Sequence, residues 1–200
     1  VTGVQTCALP ILMYWQVYLH KTVLSAEFLL MKILNRAKQL AKNEVDLFTT
    51  PILRDFLYND YKIEDFDSHK LDCFAALDDF DVLTSIKVWC NNDDYILRTL
   101  SKNLINRNLY KISLSNSKPN KSDYNKIVER IMSEHDIDRG DVEYFVFKDR
   151  ISNSAYSLSQ DKINILFKDG RVMDISQAAD LLNITALSEV VEKHFLCYLR

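Results

Sequence analysis

Residues 12–41 form a stretch of about thirty residues that contains neither glycine nor proline. Apolar side chains recur along it at steps of three and four residues, which predicts one long amphipathic helix. Its inner part has ordinary core positions, at Val23, Leu30, Ile33, Leu34, Ala37 and Leu40. Its first turns instead carry Tyr14, Trp15, Tyr18, His20 and Lys21, where a buried helix face would carry leucine. This aromatic and polar end is the first candidate for a functional surface.

Charge is distributed unevenly along the chain, although the net charge is only −3. Residues 12–42 contain five basic side chains against one acidic side chain, and residues 43–81 contain eleven acidic side chains against three basic ones. Two interpretations are open. The basic helix and the acidic segment can neutralise each other inside the protein, or the basic helix end can face a polyphosphate, whose negative charges require cations.

The composition indicates a soluble cytoplasmic protein. A chain of 200 residues with 48% hydrophobic residues suits one or two domains with a sizeable core. The pI near 5.8 gives no reason to expect general nucleic-acid binding, and no apolar run has the length that a membrane helix needs. The cysteines are too scattered for a zinc site or a disulfide framework, at Cys7, Cys73, Cys90 and Cys197.

Helices are predicted for the first part of the chain. Thr50 followed by Pro51 is typical of a helix start, and this helix is expected to run to Tyr58. Asp93 and the pair Ser122-Asp123 are expected to cap two later helices. The further helices are predicted at residues 68–77, 78–90, 93–107 and 122–135.

Alternating apolar residues predict strands after Tyr110. These strands are expected at residues 111–115, 143–147, 162–167 and 194–198. The turn residues of 168–171 predict a hairpin that continues into 172–174. The expected fold is therefore a mainly α part, residues 12–109, followed by a small α+β subdomain, residues 110–200.

One apparent metal motif is rejected. His135-Asp136 is the literal His-Asp pair of the chain, and His69 before it with Asp149 or Asp161 after it imitates a metal-binding set. The ligands of such a site are oriented by packed surroundings, whereas this pair lies at a polar helix end. We interpret it as a histidine at a helix C-terminus, where the helix dipole favours a cation.

Residues 174–191 resemble a helix-turn-helix, with two short predicted helices around 183–185. A DNA-binding helix pair needs cations for the phosphates. Residues 176–193 instead contain three acidic side chains and one basic side chain, Lys193. This pattern predicts a packed helix pair that does not bind DNA.

Residues 14–21 read Tyr-Trp-Gln-Val-Tyr-Leu-His-Lys, and Glu27 follows on the same predicted helix. This pattern resembles the helix after the last metal ligand in HD-domain phosphohydrolases, particularly the deoxynucleotide triphosphohydrolases. Residues 77–89 and 106–110 resemble later segments of that family, in the same order. The resemblance implies an HD-type helical fold for residues 12–109 and a metal-dependent parent enzyme that releases triphosphate from a deoxynucleotide.

The same resemblance assigns roles to individual residues. Tyr14, Tyr18 and Lys21 would bind the substrate, with the Tyr18 ring flat on the deoxyribose. His20 and Lys21 resemble residues that contact a regulatory nucleotide between subunits in some members, which implies a homo-oligomer. Periodicity alone favours a plainer interpretation, in which the tyrosines pack with satisfied hydroxyls and the lysine extends to solvent.

Residues 1–11 resemble the translation of a sequencing adapter and are expected not to belong to the fold. The family's metal ligands lie upstream of the Tyr-x-His-Lys helix, so this chain is expected to be an inactive C-terminal fragment. We expect no catalytic residue, metal ligand or cofactor in it, and a divalent metal ion in the intact parent. The alternative is a non-catalytic module for oligomerisation or regulation.

Overall fold

The computed structural model describes residues 20–153, 164–174 and 191–199. Its helices are α1 Lys21–Lys42, α2 Pro51–Tyr58, α3 Ser68–Ala76, α4 Asp79–Trp89, α5 Tyr95–Ile105 and α6 Lys121–His135. Its strands are β1 Lys111–Ser115, β2 Val146–Asn153, β3 Asn164–Leu166, β4 Val172–Asp174 and β5 Val191–Tyr198. Short 3₁₀ helices lie at Ile63–Asp65 and Val142–Tyr144. A mainly helical chain with a small sheet near its C-terminus confirms the predicted fold class.

Local capping chemistry starts several of these helices where the sequence predicts. Thr50 has extended backbone angles and Pro51 is the first residue of α2, because proline already has a helical φ and lacks an N–H that would be unpaired there. The Asp78 carboxylate accepts hydrogen bonds from the N–H groups of Phe80 and Asp81 at the start of α4. The predicted starts of α2 and α4 are therefore confirmed.

Three predicted helix starts are wrong in position. His20 is not helical, and α1 begins at Lys21, so one unbroken helix over residues 12–41 is not formed. Asp94, and not Asp93, caps α5. Asn120 caps α6 by accepting the N–H of Ser122, in place of the predicted Ser122-Asp123.

The predicted strand at residues 143–147 is wrong for residues 143–145 and confirmed for Val146 and Phe147. Val142–Tyr144 is a 3₁₀ helix and β2 begins at Val146. The side chains of Tyr144, Phe145 and Val146 are all buried. A strand points consecutive side chains to opposite faces, so a tight turn is the better way to bury three neighbours in a row.

The described chain forms two compact units. The helical unit comprises Lys21–Lys111, Glu143–Phe145 and Leu199. Its core is formed by fully buried side chains of α1, α4 and α5, among them Leu29, Ile33, Ile86, Trp89, Leu97 and Leu100. Val23, an expected core residue, is instead 43% exposed. No helix in the described ranges combines the length and apolar character that crossing a bilayer requires.

Within the helical unit, polar contacts attach the short segment Glu143–Phe145. The Tyr144 hydroxyl donates to Gln39 Oε1 at 2.9 Å, and the Tyr110 hydroxyl donates to the Tyr144 carbonyl. The buried Ser25 hydroxyl donates to the Tyr110 carbonyl at 2.9 Å. Buried polar groups are thereby satisfied. The predicted domains, residues 12–109 and 110–200, stay a prediction.

The sheet unit comprises Ile112–Val142 and the described residues of Val146–Tyr198. Its three-stranded sheet has the order β1-β5-β2. β2 and β5 are antiparallel, with Val146 opposite Tyr198 and Asn153 opposite Val191. Val128 and Ile131 of α6 are buried, which is the apolar face expected of an amphipathic helix.

A separate hairpin joins β3 and β4. The N–H of Gly170 donates to the Phe167 carbonyl at 3.0 Å, and the N–H of Phe167 donates to the Arg171 carbonyl at 2.8 Å. Gly170 has φ +85°, a left-handed conformation that glycine adopts without steric cost. The predicted hairpin at residues 168–171 is confirmed.

Candidate functional site

Three cations in the C-terminal half of α1 are neutralised within the helical unit. The Nζ atoms of Lys38 and Lys42 lie 3.0 and 2.7 Å from carboxylate oxygens of Asp60, and Arg36 pairs with Asp94. Hydrogen bonds from Lys42 and Lys38 hold the pKa of Asp60 below its ordinary value. Since Asp60 belongs to the acidic segment 43–81, the predicted internal neutralisation is confirmed at these residues.

The N-terminal end of α1 differs in its electrostatics. Lys21 is the first residue of the helix, its side chain is exposed, and no acidic residue stands in the first turn. Among the residues that the structure describes, Lys21 forms no ion pair. A helix N-terminus carries a partial positive charge, and the lysine adds a full charge. An anion at this end would be stabilised by both.

The other predicted site residues are only partly described. His20 precedes α1 and is exposed. Tyr14 and Tyr18 lie outside the described residues, so the predicted stripe of Tyr14, Tyr18 and Lys21 is represented by Lys21 alone. The roles of all four residues stay predictions.

Within residues 20–153, 164–174 and 191–199, no three His, Cys, Asp or Glu side chains are grouped so that they could hold a metal ion. Catalytic metals in proteins take about three or more such ligands. Cys73, Cys90 and Cys197 are not in disulfide bonds. The described residues therefore do not fit the divalent metal of an HD-type centre.

His135 and Asp136 form a helix end. His135 is the last residue of α6, and Asp136 is its left-handed cap, with φ 49°. Burial lowers the pKa of His135, and the nearby charge of Glu134 opposes this only in part. The position at a helix C-terminus is confirmed, and burial disfavours the charged imidazole there.

Most of the predicted helix-turn-helix, residues 175–190, lies outside the described residues. The absence of DNA binding stays a prediction from charge.

Asp55, Tyr61 and Lys70 form a polar cluster in the helical unit. Lys70 Nζ donates to Asp55 Oδ2 at 2.5 Å and to the Tyr61 hydroxyl at 2.9 Å, and this hydroxyl donates to Asp55 Oδ1 at 2.6 Å. The hydrogen bond from Lys70 lowers the pKa of Asp55, and the same bond raises the pKa of Lys70. Both groups stay charged near neutral pH, so the cluster links α2 to α3 and offers no general acid or base.

The sheet unit contains a basic cleft that was not predicted from the sequence. An open cavity of about 440 Å³ is lined by Lys118, Pro119, Lys148, Asp149, Arg150 and His194. The available signal was the spacing of Lys148 and Arg150, because residues two apart on a strand share a face.

Comparisons with known proteins bear on the chemistry. No protein-family model matches this chain. The chain is 28% identical over 177 residues to the uncharacterized protein YwfO of Bacillus subtilis (strain 168), covering 85% of this chain and 38% of YwfO. Its structure is similar to that of a phosphohydrolase from Bacteroides thetaiotaomicron VPI-5482, with a TM-score of 0.84 and 40% sequence identity. That match covers 97% of this chain and 49% of the phosphohydrolase.

The chain thus spans less than half of each of these two relatives. Within that span, the likeness to the phosphohydrolase extends over nearly all of this chain. On α1, Arg36, Lys38 and Lys42 pair with carboxylates, whereas Lys21 forms no ion pair among the described residues.

Proposed function

We propose that this chain is part of a phosphohydrolase that acts on deoxynucleoside triphosphates. The observation that carries the proposal is the likeness to the Bacteroides phosphohydrolase, at 40% identity over 97% of this chain. The finer assignment rests on the Tyr-x-His-Lys pattern of residues 18–21. This pattern resembles the deoxynucleotide triphosphohydrolases of the HD type.

Within this proposal, Lys21 binds the substrate phosphates through its charge. Its exposure and the lack of an acid in the first turn of α1 support that role, since a cation with no carboxylate partner is free to bind phosphate. Tyr14 and Tyr18 would form the deoxyribose end of the pocket. A ring lying on the sugar leaves little room for a 2′-hydroxyl, so it selects the deoxynucleotide.

The described residues do not fit a divalent metal ion, so we assign them binding and positioning roles only. A metal in the intact parent would be held upstream, as the resemblance implies, and would activate a water molecule when bound. His20 with Lys21 is the proposed contact for a regulatory nucleotide in a homo-oligomer. These partners and the cytoplasmic location are proposals.

The test compares this 200-residue chain with the product of the full open reading frame. Each is incubated with a panel of deoxynucleoside triphosphates and Mg²⁺ or Mn²⁺, and triphosphate release is measured. We expect turnover from the full product only. Turnover by the 200-residue chain above a heat-treated control would contradict its expected inactivity. If neither the 200-residue chain nor the full product hydrolyses a deoxynucleoside triphosphate, the proposed function is contradicted.

Lys21→Ala in the full product tests the residue assignment. We expect KM to rise by roughly tenfold, as for the loss of one charge-assisted contact, and the effect to shrink at high salt. The matched control is Lys87→Ala, another exposed lysine on a helix of the helical unit. Equal effects of both substitutions would show that overall charge, and not Lys21, is responsible.

One observation favours a second function, that of a non-catalytic module for self-association or regulation. The helical unit exposes large apolar side chains, with Ile63 90% and Phe80 79% exposed. Exposed apolar surface of this kind is common at protein interfaces. An upstream His…His-Asp…Asp set in the full reading frame supports the enzyme, and its absence together with a concentration-dependent mass of the chain supports the module.

A further inference from the structure

The basic cleft of the sheet unit brings together residues from three parts of the sequence. Arg150 on β2 lies directly opposite His194 on β5, and Lys148 lies two residues before Arg150, hence on the same face. Lys118 and Pro119 come from the loop that follows β1 and directly precede Asn120, the cap of α6. Strand pairing and one loop therefore create a single concave surface.

The charge of this surface is positive. Lys118, Lys148 and Arg150 each carry one positive charge, and Asp149 is the acidic residue among the six described residues that line the cavity. Arg150 and His194 also make interactions within the protein, so the two lysines are the main cations for an external ligand. The N-terminal end of the 15-residue helix α6 adds partial positive charge nearby.

Lys148 is held in place by an aromatic ring. Its Nζ lies 4.3 Å from the centre of the Tyr124 ring on α6. A cation over a ring keeps its charge while its position becomes restricted. The ammonium of Lys148 is therefore ordered in advance, which lowers the entropic cost of binding an anion.

The size and chemistry of the cleft indicate what it can bind. Its volume of about 440 Å³ lies within the range of roughly 300–1,000 Å³ that small-molecule sites occupy. Of the described residues that line it, Pro119 is the one without a polar side chain, and none is Phe, Tyr or Trp. These residues offer a nucleobase no large aromatic ring to stack on, whereas they offer a chain of phosphates several cations.

We propose that this cleft is a binding site for oligophosphate, the anion class that includes pyrophosphate and tripolyphosphate. The two lysines act on the phosphates as point charges. The site shares no residue with the proposed substrate contacts Tyr14, Tyr18 and Lys21. It therefore goes beyond the proposed function.

Isothermal titration calorimetry of this 200-residue chain with tripolyphosphate, pyrophosphate, orthophosphate and a nucleoside tests the proposal. We expect binding to weaken in the order tripolyphosphate, pyrophosphate, orthophosphate, and no binding of the nucleoside. The double variant Lys118→Ala/Lys148→Ala should weaken tripolyphosphate binding by tenfold or more, about the factor expected for losing two charged contacts. Circular dichroism checks that the variant is folded.

Two controls separate this site from others. Lys126→Ala removes an exposed lysine of α6 that does not line the cleft, and it should change the affinity by less than about twofold, because exposed charges at a distance are screened. Lys87→Ala, at an exposed lysine of the helical unit, should likewise leave tripolyphosphate binding unchanged, and the change in KM of Lys21→Ala tests the proposed substrate contact separately. An equal loss in the Lys126→Ala variant, or no measurable tripolyphosphate binding, would overturn the proposal.

Discussion

Arg36 and Asp94 form a bidentate ion pair in the helical unit. Arg36 Nε donates to Oδ1 at 3.1 Å and Nη2 donates to Oδ2 at 2.6 Å, and the two side chains are only 13% and 16% exposed. The same carboxylate accepts the N–H of Leu97 at 2.7 Å. One aspartate therefore caps α5 and ties it to α1.

Arg36→Lys should destabilise the protein although it keeps the charge. A lysine cannot donate the two parallel hydrogen bonds, and we expect a loss of about 1–2 kcal/mol in the free energy of unfolding. Urea denaturation measures it. The control is Arg54→Lys, at a pair with Asp46 whose side chains are 49% and 85% exposed, for which a change within about 0.5 kcal/mol is expected. Similar losses in the free energy of unfolding for both variants would show that burial does not make the Arg36–Asp94 pair more stabilising than the exposed pair.

The ion pair also predicts how stability depends on pH. Burial alone would raise the pKa of Asp94, but hydrogen bonds from Arg36 and from the N–H of Leu97 outweigh it, and the pKa lies below its ordinary value of 3.8. Such a group stabilises the fold above its unfolded pKa, and this contribution is lost as the pH falls through the folded pKa. The free energy of unfolding should therefore decrease below about pH 4.

Asp94→Asn tests this assignment. The variant should be less stable at neutral pH, and its free energy of unfolding should change less with pH in the acidic range. Urea denaturation at a series of pH values gives both quantities. The same acidic slope in the variant and the wild type would show that other carboxyl groups are responsible.

Trp89→Phe should cost about 2–3 kcal/mol of stability. The side chain is fully buried, and its Nε1 donates to the Phe48 carbonyl at 2.9 Å. The substitution removes this hydrogen bond and leaves a void. Thermal unfolding followed by circular dichroism measures the change in stability. The control is Phe80→Leu, at a side chain that is 79% exposed, which should leave the stability almost unchanged.

Tyr18→Ala in the full-length product should reduce discrimination between deoxyribonucleotides and ribonucleotides. A steric contact of this kind is worth roughly 1–3 kcal/mol in the ratio of the two kcat/KM values. Lys21→Ala should instead weaken binding of all nucleotides and leave the ratio nearly unchanged. If Tyr18→Ala lowers only stability, then Tyr18 has a packing role, as periodicity alone suggests.

Deletion of residues 1–11 should leave the melting temperature unchanged. The expectation rests on their likeness to a translated adapter. Differential scanning calorimetry of the two chains tests it. A decrease of several degrees, which corresponds to about 1 kcal/mol or more in a protein of this size, would show that these residues pack against the fold.

Sequence alone determined the features that depend on neighbours within a few residues. Pro51, Asp78 and Gly170 each define a helix start or a turn through their own backbone and side-chain chemistry. The helical spacing of apolar residues likewise predicted the mainly α fold class. The Tyr-x-His-Lys pattern suggested phosphate chemistry, in agreement with the likeness to a phosphohydrolase.

Tertiary structure decided what depends on partners that are distant in sequence. Asp93 and Asp94 are equally suitable N-cap residues by local sequence. Asp94 also forms an ion pair with Arg36, and it is Asp94 that caps α5. Tyr144 and Phe145, both buried, lie in a 3₁₀ helix and a turn where a strand was predicted, and β2 begins only at Val146. The basic cleft exists because β2 and β5 pair with Arg150 opposite His194. Slipping that register by one residue would turn one strand's side chains to the other face, so long-range pairing, and not the pattern of either strand, places these cations together.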